Sequence, residues 1–299
     1  MATVPTVITG DGETPAFELF EPAVPTTPLV FCSPHSGRHY PRSLTDLSKL
    51  DARTIRRSED LFVDELFGFA PEIGAPLIAA NFPRAFLDVN REPYELDQAM
   101  FTGRLPDYAN TGSLRVAGGL GTIPKIVAED TEIYRARLDV EEGLERVEVF
   151  YRSFHEALGA LIARTKAAFG MAILIDCHSM PSTVRALPSG RRPDVVIGDR
   201  YGTSAAARLV AMATSGFSGL GYDVMRNKPY AGGFITERYG KPSIGQHAIQ
   251  IEISRSLYSD EAELRPHQGF ATVRSELRQI FTQMAFDVER EYLRPLAAE

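Results

Sequence analysis

The segment MAILIDCHSM, residues 171–180, constrains this chain more than any other stretch. A continuous apolar run of this length, entered and left abruptly, suits a central strand of a sheet covered by helices on both faces. It ends by presenting Asp176, Cys177, His178 and Ser179. Further strand-like runs lie at 28–37 (broken by Pro34 and Gly37), 75–82, 84–91, 194–199, 222–229 and 247–258. In the last of these Ile249, Ile251 and Ile253 share one face and Gln250, Glu252 and Ser254 the other. Helical spacing runs through 51–74, where Gly74 suits the C′ position, and through 131–170, expected as two helices ending at Gly170. It recurs in the stretch opening at Gly202 and in 272–293. Residues 1–27 read as a polar tail or edge segment, 92–130 as a long functional loop, 181–193 as a loop and 230–240 as a loop or hairpin.

Strands alternating with helices predict an α/β protein: a three-layer α/β/α sandwich around a mostly parallel or mixed sheet. With 299 residues, 44% of them hydrophobic, the chain can bury a sizeable core, and no composition break divides it, so one domain over 1–299 is expected. A net charge of −7 without a basic block argues against nucleic acid. No window reaches the roughly 20 apolar residues of a membrane span, and the N-terminus lacks the pattern of a signal peptide. Two cysteines, Cys32 and Cys177, fit a reduced, cytoplasmic protein, and the composition leaves room for a homo-oligomer.

In open α/β sheets, sites gather beyond the strand ends. There the sequence offers Ser33-Pro34-His35, then Asp88, Asn90 and Arg91, then Asp176 and His178. Glu252 lies between Ile251 and Ile253, and a carboxylate on a buried strand is costly unless paired or bound. Two histidines and a carboxylate match a hydrolytic zinc site with three protein ligands and one position for water. His35 and His178 are the expected ligands, and Glu252 the base that moves the proton. Asp176, on the face of His178, would orient a ligand. The third ligand is sought in Asp60, with Glu59 and Asp64 as rivals. Arg84 or Arg91 would stabilise the oxyanion, and the glycines of YAGGF, Gly232 and Gly233, would let backbone approach a ligand. Arg238, in the same segment, is a further candidate to grip an anionic ligand. Cys177 and His178 point to opposite faces and cannot form a catalytic pair.

The segments SPHSGRHYP, EDLFVDELF, RAFLDVNR, IDCHSMP, NKPYAGGFITERYG and QIEISRSLY, in that order, resemble the N-formylglutamate amidohydrolase family. The wider likeness is to the zinc carboxypeptidase and aspartoacylase superfamily, which implies a carboxypeptidase-like (phosphorylase/hydrolase-like) fold. The resemblance implies His35 and His178 as metal ligands, Glu252 as base and Asn90-Arg91 as a clamp for the substrate carboxylate. The superfamily's acidic ligand often stands three residues after the first His; Arg38 occupies that place here, so Asp60 is preferred and Arg38 is free to face substrate. His155 also matches a family histidine, although its spacing with Phe154, Leu158 and Leu161 suits a core-edge position. The implied substrate is a small anionic N-acyl amino acid, most simply N-formyl-L-glutamate, hydrolysed to formate and glutamate at the end of one route of histidine breakdown. The implied cofactor is zinc or another divalent metal. A deacylase or carboxypeptidase for another N-acyl amino acid or peptide, and a non-catalytic protein binding an acidic small molecule, are the alternatives.

Overall fold

The computed structural model describes residues 4–9, 12–184, 190 and 192–293. The chain forms two compact units that it enters more than once: Met1–Glu18, Pro34–Asp60 and Ala79–Leu158 make the first, and Leu19–Ser33, Leu61–Ile78 and Gly159–Glu299 the second.

Most of the second unit is built on a seven-stranded sheet. Its strands are β1 (Phe17–Phe20), β2 (Leu29–Ser33), β3 (Leu77–Ala80), β4 (Ala172–Met180), β5 (Val195–Gly198), β6 (Val224–Arg226) and β7 (Gln246–Ser254), in the order β6-β5-β7-β4-β2-β3-β1. β4 runs parallel to both β7 and β2, β5 runs antiparallel to β7 and parallel to β6, and the sheet is therefore mixed.

Strand alternation sorts the faces. Ile173, Ile175 and Cys177 of β4, Ile249, Ile251 and Ile253 of β7, and Leu29 and Phe31 of β2 enter one apolar core. Two helices cover it: α3 (Ala207–Gly219) supplies Leu209, Val210, Ala213 and Phe217, and α5 (Phe270–Val288) supplies Val273, Leu277, Ile280, Phe281 and Met284. Both sets recur at helical spacing, and the Phe31 and Phe281 rings meet edge to face at 5.2 Å. The opposite sheet face carries Asp176, His178, Gln250 and Glu252, and the short helix α4 (Phe234–Tyr239) packs there through Thr236. Helices on both faces make the α/β sandwich that the alternating pattern predicts.

In the first unit, α1 (Val140–Arg146), a π turn at Val147–Tyr151 and the start of α2 (Arg152–Phe169) run on without a break. The helical stretch thus begins at 140 rather than 131, where the Asp139 carboxylate accepts the Glu141 N–H at 2.8 Å and caps it. It ends at Gly170, φ +76°, as expected.

Other expectations are corrected. Residues 51–74 form short turns, Thr54–Ser58, Val63–Leu66 and Ala70–Ile73, instead of one helix. The Asp60 N–H goes to the His35 carbonyl at 3.0 Å, so a tertiary bond replaces a helical one there. Residues 84–91 form no strand. The Phe86 N–H turns back to the Pro83 carbonyl, and the Asp88 N–H goes to Thr122 O at 2.8 Å. Residues 230–240 contain α4, since FITERY has no breaker between Gly233 and Gly240. The segment 92–130 buries Leu96, Phe101, Leu105, Val116 and Ile123, so it is packed although irregular. Within 1–27, Thr6–Ile8 pairs with Glu13–Pro15, and β1 is an edge strand of the main sheet, in keeping with the edge segment expected there. In the expected loop at 181–193, residues 185–189 and 191 lie outside the described residues.

Candidate active site

In the first unit several of the expected site residues collect around Asp88. Gly37 lets the loop after β2 lie against residues 81–82: a Cβ at 37 would overlap the Phe82 carbonyl oxygen, and the His39 N–H bonds Asn81 O at 3.0 Å. This seats His35, which is 1% exposed. Its Nε2 lies 2.7 Å from Asp88 Oδ1, and its Nδ1 lies 3.4 Å from Asp60 Oδ2. Asp88 Oδ1 also accepts the Asn90 N–H at 2.8 Å, while Oδ2 meets Arg84 Nε at 2.9 Å and Arg91 Nη2 at 3.4 Å. Burial pushes the Asp88 carboxyl up, but Arg84, Arg91 and His35 together outweigh it and hold the group well below the usual carboxylate range. Burial lowers Arg91 to about 10 against the pull of Asp88, so it stays charged at neutral pH. An ionised Asp88 accepts, which assigns the proton to His35 Nε2 and the lone pair to Nδ1 in the neutral ring.

Asn90 and Arg91 sit in a turn held by several bonds. Arg91 donates Nε–H to Leu120 O at 2.7 Å and Nη1–H to Asn90 O at 2.8 Å. Helix residues fix the same turn from behind. Tyr151 Oη donates to Arg91 O at 2.7 Å, and His155 Nε2 lies 2.9 Å from Val89 O with its ring 4.3 Å from that of Tyr151. His155 is thus a backbone support for the segment that carries Asn90 and Arg91. Arg38, half-buried, lines a cavity of about 370 Å³ with Tyr40, Thr45, Ala52, Ile55 and Arg56. Of the alternatives to Asp60, Glu59 is engaged at both oxygens, by Arg56 at 2.8 and 2.9 Å and by Tyr40 Oη at 2.7 Å. Asp64 lies in the second unit, on Val63–Leu66.

In the second unit the parallel register of β4 and β7 sets His178 opposite Glu252 and Asp176 opposite Gln250, one strand spacing (about 4.8 Å) apart. His178 Nε2 lies 2.9 Å from Asp176 Oδ1, and Asp176 Oδ2 accepts from Thr236 Oγ1 at 3.1 Å. Gln250 Nε2 donates to Glu252 Oε1 at 2.8 Å, and its Oε1 accepts the Gly233 N–H at 2.7 Å. Gly232 adopts φ +115°, open to glycine alone without strain. Arg238 is exposed, with its guanidinium 5.8 and 5.7 Å from the rings of Phe234 and Tyr239. Cys32 and Cys177 are buried free thiols that burial pushes well up, and Cys177 faces the apolar core, away from His178.

The sequence alone does not single out Gln250 or Thr236, and it marks Asp88 only as a strand-end carboxylate. The signal for Gln250 was present: it shares a strand face with Glu252. Nothing in the sequence ties Thr236 to Asp176, because 60 residues separate them.

Each unit therefore holds a buried imidazole beside a buried carboxylate, His35 with Asp88 in the first and His178 with Asp176 in the second, where Glu252 also stands opposite His178 in the strand register. Likeness to known proteins gives first the class, an amidohydrolase. The family model for N-formylglutamate amidohydrolase matches residues 27–259. The N-formylglutamate deformylase of Pseudomonas aeruginosa is 30% identical over 240 residues, covering 78% of this chain and 83% of the relative. A crystal structure of N-formylglutamate amidohydrolase from Ralstonia eutropha JMP134 superposes with a TM-score of 0.87 at 33% identity, covering 92% of this chain and 99% of that one. A protein from Agrobacterium tumefaciens, 20% identical over 92% of this chain and 96% of that one, shares the fold with a TM-score of 0.67. The chain belongs to the N-formylglutamate amidohydrolase family. Among the described residues, no helix is long and apolar enough to cross a membrane.

Proposed function

We propose that the protein hydrolyses N-formyl-L-glutamate to formate and L-glutamate, with a divalent metal, most simply zinc, held by His35, Asp60 and His178. The donor set fits such an ion: two imidazoles and one carboxylate, all buried. The observation that carries the reading is the repeated pairing at Nε2, His35 with Asp88 and His178 with Asp176. Metal-binding histidines are commonly held this way by a carboxylate, which leaves Nδ1 as the ligating atom. A lone pair on His35 Nδ1 and the Asp60 carboxylate, 3.4 Å apart, need a proton or a cation between them. Chain connectivity supports the same grouping. Cys32 lies opposite Asp176 in the sheet register, and His35 follows Cys32 by a span of at most about 11 Å. The family match runs through segments of both units, which supports reading 1–299 as one functional domain.

A divalent ion held there would polarise the formyl carbonyl and lower the pKa of a water to about 7. Glu252 takes a proton from the attacking water and delivers it to the leaving amine nitrogen. Arg84, whose side chain is 24% exposed, supplies positive charge near the formyl oxygen. Asn90 and the Arg91 N–H groups not used by its backbone bonds receive a substrate carboxylate. Gly232 and Gly233 let the loop backbone approach the ligand, and Arg38 and Arg238 are the proposed contacts for the other carboxylate.

Formate release from N-formyl-L-glutamate, with N-acetyl-L-glutamate run in parallel, tests the reading. The Glu252→Gln variant is expected to fold, to retain metal and to lose nearly all turnover. No formate from the wild-type protein would refute the substrate, and full activity of the variant would refute the role of Glu252.

A further inference from the structure

Five polar side chains form a chain of contacts over one face of the sheet. His178 Nε2 meets Asp176 Oδ1 at 2.9 Å, and Asp176 Oδ2 meets Thr236 Oγ1 at 3.1 Å. Thr236 Oγ1 lies 3.4 Å from Gln250 Oε1, and Gln250 Nε2 donates to Glu252 Oε1 at 2.8 Å. Glu252 and His178, the two ends of this chain of contacts, sit opposite one another in the strand register. The Gln250 orientation follows from its neighbours. Gly233 N–H at 2.7 Å can only donate, so Oε1 must face it and Nε2 must face the Glu252 carboxylate. The loop supplying that N–H is itself tethered: the Arg200 N–H bonds Ala231 O at 2.7 Å, and the Asn227 amide bonds the fully buried Asp199 at 2.6 Å.

We propose that Gln250 is a positioning residue, transmitting the fixed place of the Gly233 backbone to the Glu252 carboxylate so that one oxygen is anchored and the other is aimed at the reacting proton. This rests on the reading of Glu252 as the base. A side chain that is 4% exposed, with one polar end on backbone and the other on the base, has little rotameric choice.

Gln250→Glu isolates the effect. It keeps size and the acceptor for Gly233 N–H, but it replaces the donor to Glu252 by an oxygen. The expected result, at pH 8, is a kcat lower by about 10- to 100-fold with KM changed little, which is the usual cost of losing a group that orients another. Combination with Glu252→Gln separates positioning from general structure. In that background Gln250→Glu is expected to add no further loss, because its effect acts through the carboxylate already removed. Metal content of Gln250→Glu is expected to match wild type, while its melting temperature falls, because two buried carboxylates then face one another. Wild-type kcat in Gln250→Glu, or a full additional loss in the double variant, would overturn the proposal. Gln250→Leu, which removes both bonds, should give the same non-additivity, and additivity there would overturn it as well. Full activity of Glu252→Gln alone would instead refute the base assignment.

Discussion

Asp88→Asn is the perturbation whose consequences are most fully determined by the geometry. The substitution keeps volume and removes the charge. One amide oxygen can still accept from His35 Nε2 and from the Asn90 N–H, the two donors now on Oδ1. The amide nitrogen then faces Arg84 Nε–H and Arg91 Nη2–H, donor against donor. Contacts of this charge-assisted kind contribute about 1.5–3 kcal/mol each, and Arg84 is partly screened by water. Arg91 is left buried beside a neutral group, a situation that costs about 3–5 kcal/mol when a buried pair is broken outright. Together these give an expected destabilisation of about 3 kcal/mol at neutral pH. With a urea slope of about 3 kcal/mol per molar, the unfolding midpoint should fall by about 1 M. The chain has no tryptophan, so circular dichroism is the suitable probe. The pH dependence has a definite sign. The folded carboxyl is held well below its ordinary value, so its contribution is complete above the unfolded value of about 3.9 and is lost as pH falls through the folded value. Wild type and variant should therefore converge in acid. A midpoint shift below about 0.3 M at neutral pH, or a gap that widens in acid, would refute the reasoning.

Gly37→Ala should destabilise by about 1–3 kcal/mol, read from thermal unfolding, because the new Cβ meets the Phe82 carbonyl and backbone must move. An unchanged melting temperature would contradict the close packing of that loop. Cys32 and Cys177 should resist a thiol reagent at pH 8 in the native protein and both react in concentrated denaturant, since burial keeps the thiols protonated and inaccessible. Prompt labelling of either native thiol would contradict their placement in the sheet.

The parts of the fold that the sequence makes legible are those whose hydrogen bonds are set by local pattern. Ala172–Met180 and Gln246–Ser254 carry apolar runs, and alternation sets His178 on a face with Asp176, and Glu252 on a face with Gln250, before any pairing is known. The register that puts them opposite one another is not in either segment alone; it comes from the parallel pairing of strands about 70 residues apart. RAFLDVNR alternates like a strand, yet its partners are the distant His35 and Thr122, so it turns around Asp88 instead. The same holds for 51–74, where Leu61, Leu66 and Phe69 have helical spacing but the backbone bonds to His35 and to short turns. Helix α4 was obscured because six residues between glycines are too few to show a period. Candidate site residues with their own chemistry, the histidines and Glu252, stand out in a sequence; Thr236 and Gln250, which bond Asp176 and Glu252, become visible only through those bonds.

The most direct test of the central claim is the rate of formate release from N-formyl-L-glutamate by one preparation measured before chelation, after chelation and after readdition of zinc, with metal content determined at each stage. Activity is expected to fall in proportion to the metal removed and to return with one zinc per chain in wild type, but not in His178→Ala. Undiminished hydrolysis by fully chelated protein would contradict the account.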